Sequence, residues 1–192
     1  MKKLLIAASL FFLLFASHSR AELLFQPLTA NIFEPRIGAH YDGSSEKLRL
    51  DIGHSQDFTR YKIDDNVNMS VGADFFTYSR LRTESNFKFP VETIDYLFGL
   101  NTALVLEREK IDYSARLRLS HISSHLVDGF ADSSVFWKEP FVYSHEFFEL
   151  ALAVDFANMI NPAADKLQMM RLYLNGRYNF SKIPETIPGL TF

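Results

Sequence analysis

The chain has no cysteine. A disulfide framework and thiolate chemistry are therefore excluded. It has no basic patch and no basic helix, so nucleic acid is not an expected partner. Past its first residues it has no run near the roughly 18 apolar residues of a membrane helix. No later segment shows convincing helical periodicity. If the mature chain lies in a membrane, it must do so as a closed β-barrel, because lipid offers nothing to the backbone groups of an open edge.

The first residues read as an export signal. Lys2 and Lys3 form a basic start, 4–16 is a short apolar run, and Ser19-Arg20-Ala21 puts small residues at −3 and −1 of a cleavage site. The alternative is a retained anchor helix. Cleavage after Ala21 predicts a signal peptide over 1–21 and one domain over 22–192. It removes three cations, which takes the formal charge from −3 to about −6. Aromatics make up 15% of residues, with 19 Phe. Strands and barrel girdles are both enriched in them.

The clearest pattern is IDYSARLRLSHISSHLVDGF, 111–130. Ile111, Tyr113, Ala115, Leu117 and Leu119 share one face of a strand, and Asp112, Ser114, Arg116, Arg118 and Ser120 share the other. Similar alternation predicts strands over 35–41, 47–54, 66–78, 93–107, 143–156 and 169–180. Segment 22–34 has no clean period and reads as an extended lead-in. Polar connections are expected over 55–65, 80–90 and 157–167, and a long one over 126–142 carries the only Trp, Trp137.

Several of these strands exceed the usual five or six residues of a soluble sheet. They approach the nine to eleven that cross a bilayer at a tilt. Their polar faces repeat Arg with Asp or Glu, which a soluble core keeps only when paired. The expected fold is all-β, an antiparallel transmembrane β-barrel of about eight strands in the bacterial outer membrane. A soluble barrel or sandwich is the alternative. Seven strands are clear, and bacterial barrels have an even number. The ending PETIPGLTF is either a short, irregular eighth strand or the mark of an incomplete C-terminus. With the N-terminus periplasmic, the tight turn at Glu109-Lys110 is periplasmic and the long connection after His125 is external.

The reactive side chains concentrate in His121, Ser123, Ser124, His125 and Asp128. Continued alternation puts His121, Ser123 and His125 on the apolar face with Leu119. Residues i and i+2 on one strand face are neighbours, so His121 is the candidate base for a Ser123 nucleophile. Asp128, Asp132 or Glu146 is a candidate to orient the imidazole. Two other readings stay open. The cluster is a set of headgroup-level polar residues, or His121, His125 and Asp128 ligate a divalent ion, with imidazole and carboxylate suiting zinc. No cofactor is called for. His145, at the start of the next strand, is the one distant histidine expected to return near the cluster.

His-x-Ser on a lipid-facing strand end resembles the catalytic pattern of outer-membrane phospholipase A and of the lipid A 3-O-deacylase. Both families follow that serine with Asn, where this chain has Ser124. The likeness implies a lipid-ester hydrolase with Ser123 and His121, and nothing for a third member. More broadly, FQPLTANIFEPRIGAHY, TIDYLFGL, SHISSHLVDGF, YSHEFFELALAV and RLYLNGRYNF resemble an uncharacterised family of bacterial outer-membrane proteins. That resemblance implies a barrel and an outer-membrane address, members longer than this chain, and no activity. The expected function is thus a structural barrel, surface receptor or narrow pore, with the hydrolase as the alternative. Expected partners are outer-membrane lipids, lipopolysaccharide and, during biogenesis, the barrel assembly machinery.

Overall fold

The computed structural model describes residues 23–156 and 170–192, and of Asp128 only the backbone. The signal segment 1–21 and the expected connection at 157–167 lie outside the described residues. Apart from one 3-10 turn, Asp128–Phe130, the regular structure is all strand. In chain order the strands are β1 (Ile37–Asp42), β2 (Lys47–Asp64), β3 (Val67–Arg82), β4 (Val91–Leu106) and β5 (Ile111–Leu126). Then come β6 (Ala131–Asp132), β7 (Val135–Phe136), β8 (Tyr143–Phe156), β9 (Met170–Ile183) and β10 (Leu190–Thr191). Eight form one antiparallel sheet in the order β1-β2-β3-β4-β5-β8-β9-β10, and β6 and β7 pair as a separate small hairpin in the long connection. Among the described residues the edge strands β1 and β10 are not hydrogen-bonded to each other.

Alternation sorts the two faces as the sequence suggests. In β5, Ser114, Arg116, Arg118 and Ser120 are buried, whereas Tyr113, Leu117 and Leu119 are exposed. The sheet is therefore inverted relative to a water-soluble core, with its polar face hidden and its apolar face open. Exposed Ile52, Phe75, Leu100, Leu150, Leu172 and Leu174 continue that apolar face across neighbouring strands.

The polar face is hidden because the sheet curls around the N-terminal segment. The Leu24 backbone N–H donates to Asp57 on β2 at 2.8 Å, and the Gln26 carbonyl accepts from Arg171 on β9 at 2.7 Å. A flat sheet would hold β2 and β9 about 24 Å apart, five spacings of nearly 5 Å. Two adjacent stretches of one segment reach both, so the sheet must wrap. The segment expected as an extended lead-in, described from residue 23 to 34, accordingly lies inside the curl of the sheet. Leu28 is wholly buried, and Phe25 packs with it against Ala103, Ala151 and Ala153. Those three alanines leave the space that the segment fills.

The interior is layered along the strands. The segment's apolar contacts lie nearest the short β2–β3 and β4–β5 turns. A charged belt follows. Arg118, wholly buried, bonds Asp74 at 2.9 Å and Glu149 at 3.1 Å. Arg116 is held by Glu34, and Arg177 by Glu149 at 3.0 Å. Charges so deep persist only when paired and hydrogen-bonded. Next, Phe76, Leu97, Ile122 and Phe147 form an apolar layer across the interior, with Phe33 packed on it. Gly53 admits this layer, because a Cβ there would stand 2.1 Å from the Cβ of Phe76.

Two further expectations change. β2 runs on to Asp64, so the polar connection over 55–65 is strand. Bulges at Asp57/Thr59 and Lys62/Asp64 break its alternation and hide it in the sequence. β3 reaches Arg82, so Arg80 and Arg82 belong to the sheet and not to a loop. The eighth strand of the sheet is short, with only Leu190 and Thr191 paired to Tyr178 and Arg177 of β9.

Candidate functional site

His121, Ser123 and His125 lie on the convex, apolar face of β5, at the upper rim of the exposed aliphatic stripe. Aromatic rings surround them. Phe98 stands 4.9 Å from the His121 ring, and Tyr96 meets the His125 ring edge-on at 5.7 Å. The strand register decides which polar partner each receives. His121 faces Glu146 of β8 directly, and its Nδ1 sits 2.9 Å from Glu146 Oε1. Ser123 Oγ lies 3.2 Å from His125 Nε2.

The cluster is thus two pairs. The serine meets His125 and not the expected base His121, and the carboxylate meets His121. A relay that activates serine needs the acid on the same imidazole that faces the hydroxyl. Here the acid and the hydroxyl are on different rings. Of the other candidate orienters, Asp132 accepts a bond from its neighbour Ser133 at 3.2 Å, and the Asp128 side chain lies outside the described residues. A groove bounded by Phe98, Leu100, Leu119 and Phe180 reaches His121 and Glu146. Among the described residues, no group of three His, Asp or Glu side chains gathers to hold a metal ion.

His145 does return beside the cluster, but on the other side of the sheet. It pairs in register with Ile122 and points to the concave face, where it is 4% exposed. There it borders a cavity of about 520 Å³ at the long-loop end of the fold. The floor is Ile32 and Phe33 of the N-terminal segment, seated on the apolar layer. One wall carries Arg49 of β2 with Tyr78 and Arg80 of β3. The other carries Asp95, Ser124 and Tyr143.

The basic wall comes from the register of β2 on β3. Arg49 stands directly opposite Arg80, and Lys47 opposite Arg82. With Arg36 these five cations share three carboxylates. Asp51 takes Arg36 and Arg49 at 2.8 and 2.7 Å, and Glu92 takes Lys47 with Arg80 and Arg82 more distant, at 3.6 and 4.0 Å. Glu84 pairs with Arg82. The Arg49 guanidinium also lies over the Tyr78 ring, 4.6 Å from its centre. Sequence reasoning missed this wall, because 80–90 reads as a loop. The signal available was the i, i+2 basic pattern in KLRL and SRLR, which puts two cations on one face of each strand.

The long connection folds back beside this wall. Arg82 donates to the Gly129 carbonyl at 2.6 Å and lies over the Trp137 ring at 4.6 Å, and Trp137 packs edge-on to Phe130. Gly129 is required there, since a Cβ would come within 2.3 Å of the Val91 carbonyl oxygen. No family model, curated protein or solved structure matches the chain.

Proposed function

We propose that the chain is an outer-membrane β-barrel whose interior is filled by its own N-terminal segment, and that it serves as a structural or receptor barrel. The observation that carries this reading is the inversion of the sheet. Arg118 and Glu149 are wholly buried, while Leu100 and Leu174 are 61% and 64% exposed on the opposite face. A contiguous apolar surface of this extent belongs against lipid or a partner. From Tyr113 to His121, β5 presents the nine or so residues that cross a bilayer at a tilt. Phe75, Phe98 and Phe148 lie toward the upper edge of the stripe, with Phe148 stacked 5.1 Å from Phe180, as in an interfacial aromatic girdle. The packed interior layers favour a receptor or structural role over a narrow pore.

The test is refolding of the chain without residues 1–21 in detergent. A folded band that migrates differently before and after heating, and that requires detergent, is expected. A monomer that stays in solution without detergent overturns the reading.

A second reading, an outer-leaflet lipid-ester hydrolase, rests on the 3.2 Å Ser123–His125 contact, next on the same strand face to His121, which an apolar groove reaches. In it Ser123 Oγ attacks the ester carbonyl carbon and His125 Nε2 takes the hydroxyl proton. His125 then returns the proton to the departing alcohol, and water hydrolyses the acyl-serine. The split between the two histidines counts against it. Loss of phospholipid or lipid A ester release in Ser123→Ala would establish it, and an inert wild-type barrel would remove it.

A further inference from the structure

We propose that the cavity at the long-loop end is a binding site for a small organic anion, a phosphate ester or carboxylate with an apolar body. The proposal deepens the receptor reading and rests on it.

Three observations meet at this cavity. The first is charge. Arg49 and Arg80 are directly opposite each other across β2 and β3, and their side chains remain 47% and 59% exposed. Like charges placed directly opposite are destabilising in a sheet. Asp51 and Glu92 offset that repulsion incompletely, because each is shared among several cations. Asp95 is the single carboxylate among the lining residues described, against two guanidinium groups. An anion would supply the negative charge that these shared carboxylates leave unmet among the described residues, and guanidinium forks suit carboxylate and phosphate oxygens.

The second observation is unmet hydrogen bonding. Among the described residues the Tyr78 hydroxyl and His145 Nδ1 are buried without a partner, and both residues line the cavity. Buried polar atoms in folded proteins are nearly always paired with protein, water or ligand. The third is the floor. Phe33, Ile32 and Ile122 offer an apolar surface below the cations. The volume lies in the range of small-molecule sites. A ligand with its anionic group at Arg49 and Arg80 and its apolar part on Phe33 matches all three. The site is on the concave face, so it is reached from the end of the fold and not from the lipid.

The probe is phenyl phosphate, titrated calorimetrically into the folded chain without residues 1–21, with inorganic phosphate, phenol and short-chain phosphatidic acid as separate arms. Saturable binding of phenyl phosphate is expected, tighter than inorganic phosphate, absent for phenol and weakened by salt. Arg49→Gln with Arg80→Gln should weaken it at least tenfold. Arg80→Gln alone should weaken it while leaving the thermal midpoint unchanged or higher, because cross-strand repulsion is relieved. No saturable binding, equal binding of phenol, or unchanged affinity in the double variant overturns the site. So does an Arg80→Gln chain that melts earlier and binds normally. Phosphatidic acid binding more tightly than phenyl phosphate, and insensitive to both arginines, would assign the phosphate to a lipid on the convex face and also overturn it. Detergent dependence is read on the same sample, so a failed barrel and a failed anion site give different results.

Discussion

Glu34 grips Arg116 through two parallel bonds of 2.6 and 2.8 Å, fully inside the curve of the sheet. The glutamate belongs to the N-terminal segment and the arginine to β5, so the bidentate pair fastens the filling of the interior to its wall. Around it the rings of Phe25 and Phe33 lie under Arg116 and Arg177, 4.7 and 3.8 Å from the guanidinium carbons.

Glu34→Gln should therefore destabilise the folded chain by about 3 kcal/mol, since breaking a buried pair leaves Arg116 with only the more distant Glu149, at 3.5 Å, among the described carboxylates. The heat-induced mobility shift in detergent should occur at a lower temperature. Adding Arg116→Gln to the same chain should recover part of the loss, because the under-compensated buried cation is gone. A double variant whose loss equals the sum of the two singles would show that the pair is not coupled.

Ala151→Leu should displace the N-terminal segment. Ala151 is wholly buried and contributes to the space occupied by Phe25 and Leu28. Overpacking of a tight interior costs about 1–3 kcal/mol. Limited proteolysis should then cut within 23–34, where the parent chain resists. Equal resistance in both would argue that the segment is held elsewhere.

On the convex face, cost should track depth. Leu117→Arg, in the middle of the β5 stripe, should lower folding into lipid vesicles by about 2–4 kcal/mol, and Ser123→Arg, at its rim, by about 0–1 kcal/mol. Equal effects at the two positions would mean that no bilayer distinguishes them.

Ser123→Ala should leave folding and thermal stability nearly unchanged, because its side-chain hydrogen bond among the described residues, with His125, lies at an exposed strand end. His121→Ala should cost more, through its Glu146 bond and its stacking on Phe98. Thermal midpoints of the two variants in the same detergent check the order.

How much of this was legible in the sequence follows from where the chain is regular. β5 and β8 pair without interruption over Ile111–Phe156 contacts, so strict alternation showed both their extent and their faces. The faces of His121, Ser123 and His125 followed from the same rule. Their partners did not. Whether His121 meets Ser123 or Glu146 depends on the register of β8, a non-local property that alternation leaves open. β2 reads short in the sequence because Phe58 is an extra residue at a bulge and reverses the phase of Thr59–Lys62, before a second bulge at Lys62/Asp64 shifts it again. The N-terminal segment was misplaced for a different reason. It packs irregularly, and the alanines that accommodate it are more than seventy positions away at Ala103 and further still at Ala151 and Ala153. No local pattern records such complementarity.

A membrane barrel requires that the convex face of the sheet meet lipid. The absence of cysteine makes a single-cysteine scan clean. Spin labels placed one at a time over positions 113–121 of β5, in chains folded into lipid vesicles, would report access to oxygen from lipid and to a nickel complex from water. A two-residue period is expected, with oxygen access highest at 115, 117 and 119 and both reagents excluded at 116 and 118. High access to the nickel complex at 115, 117 and 119 would contradict it, and with it the membrane barrel.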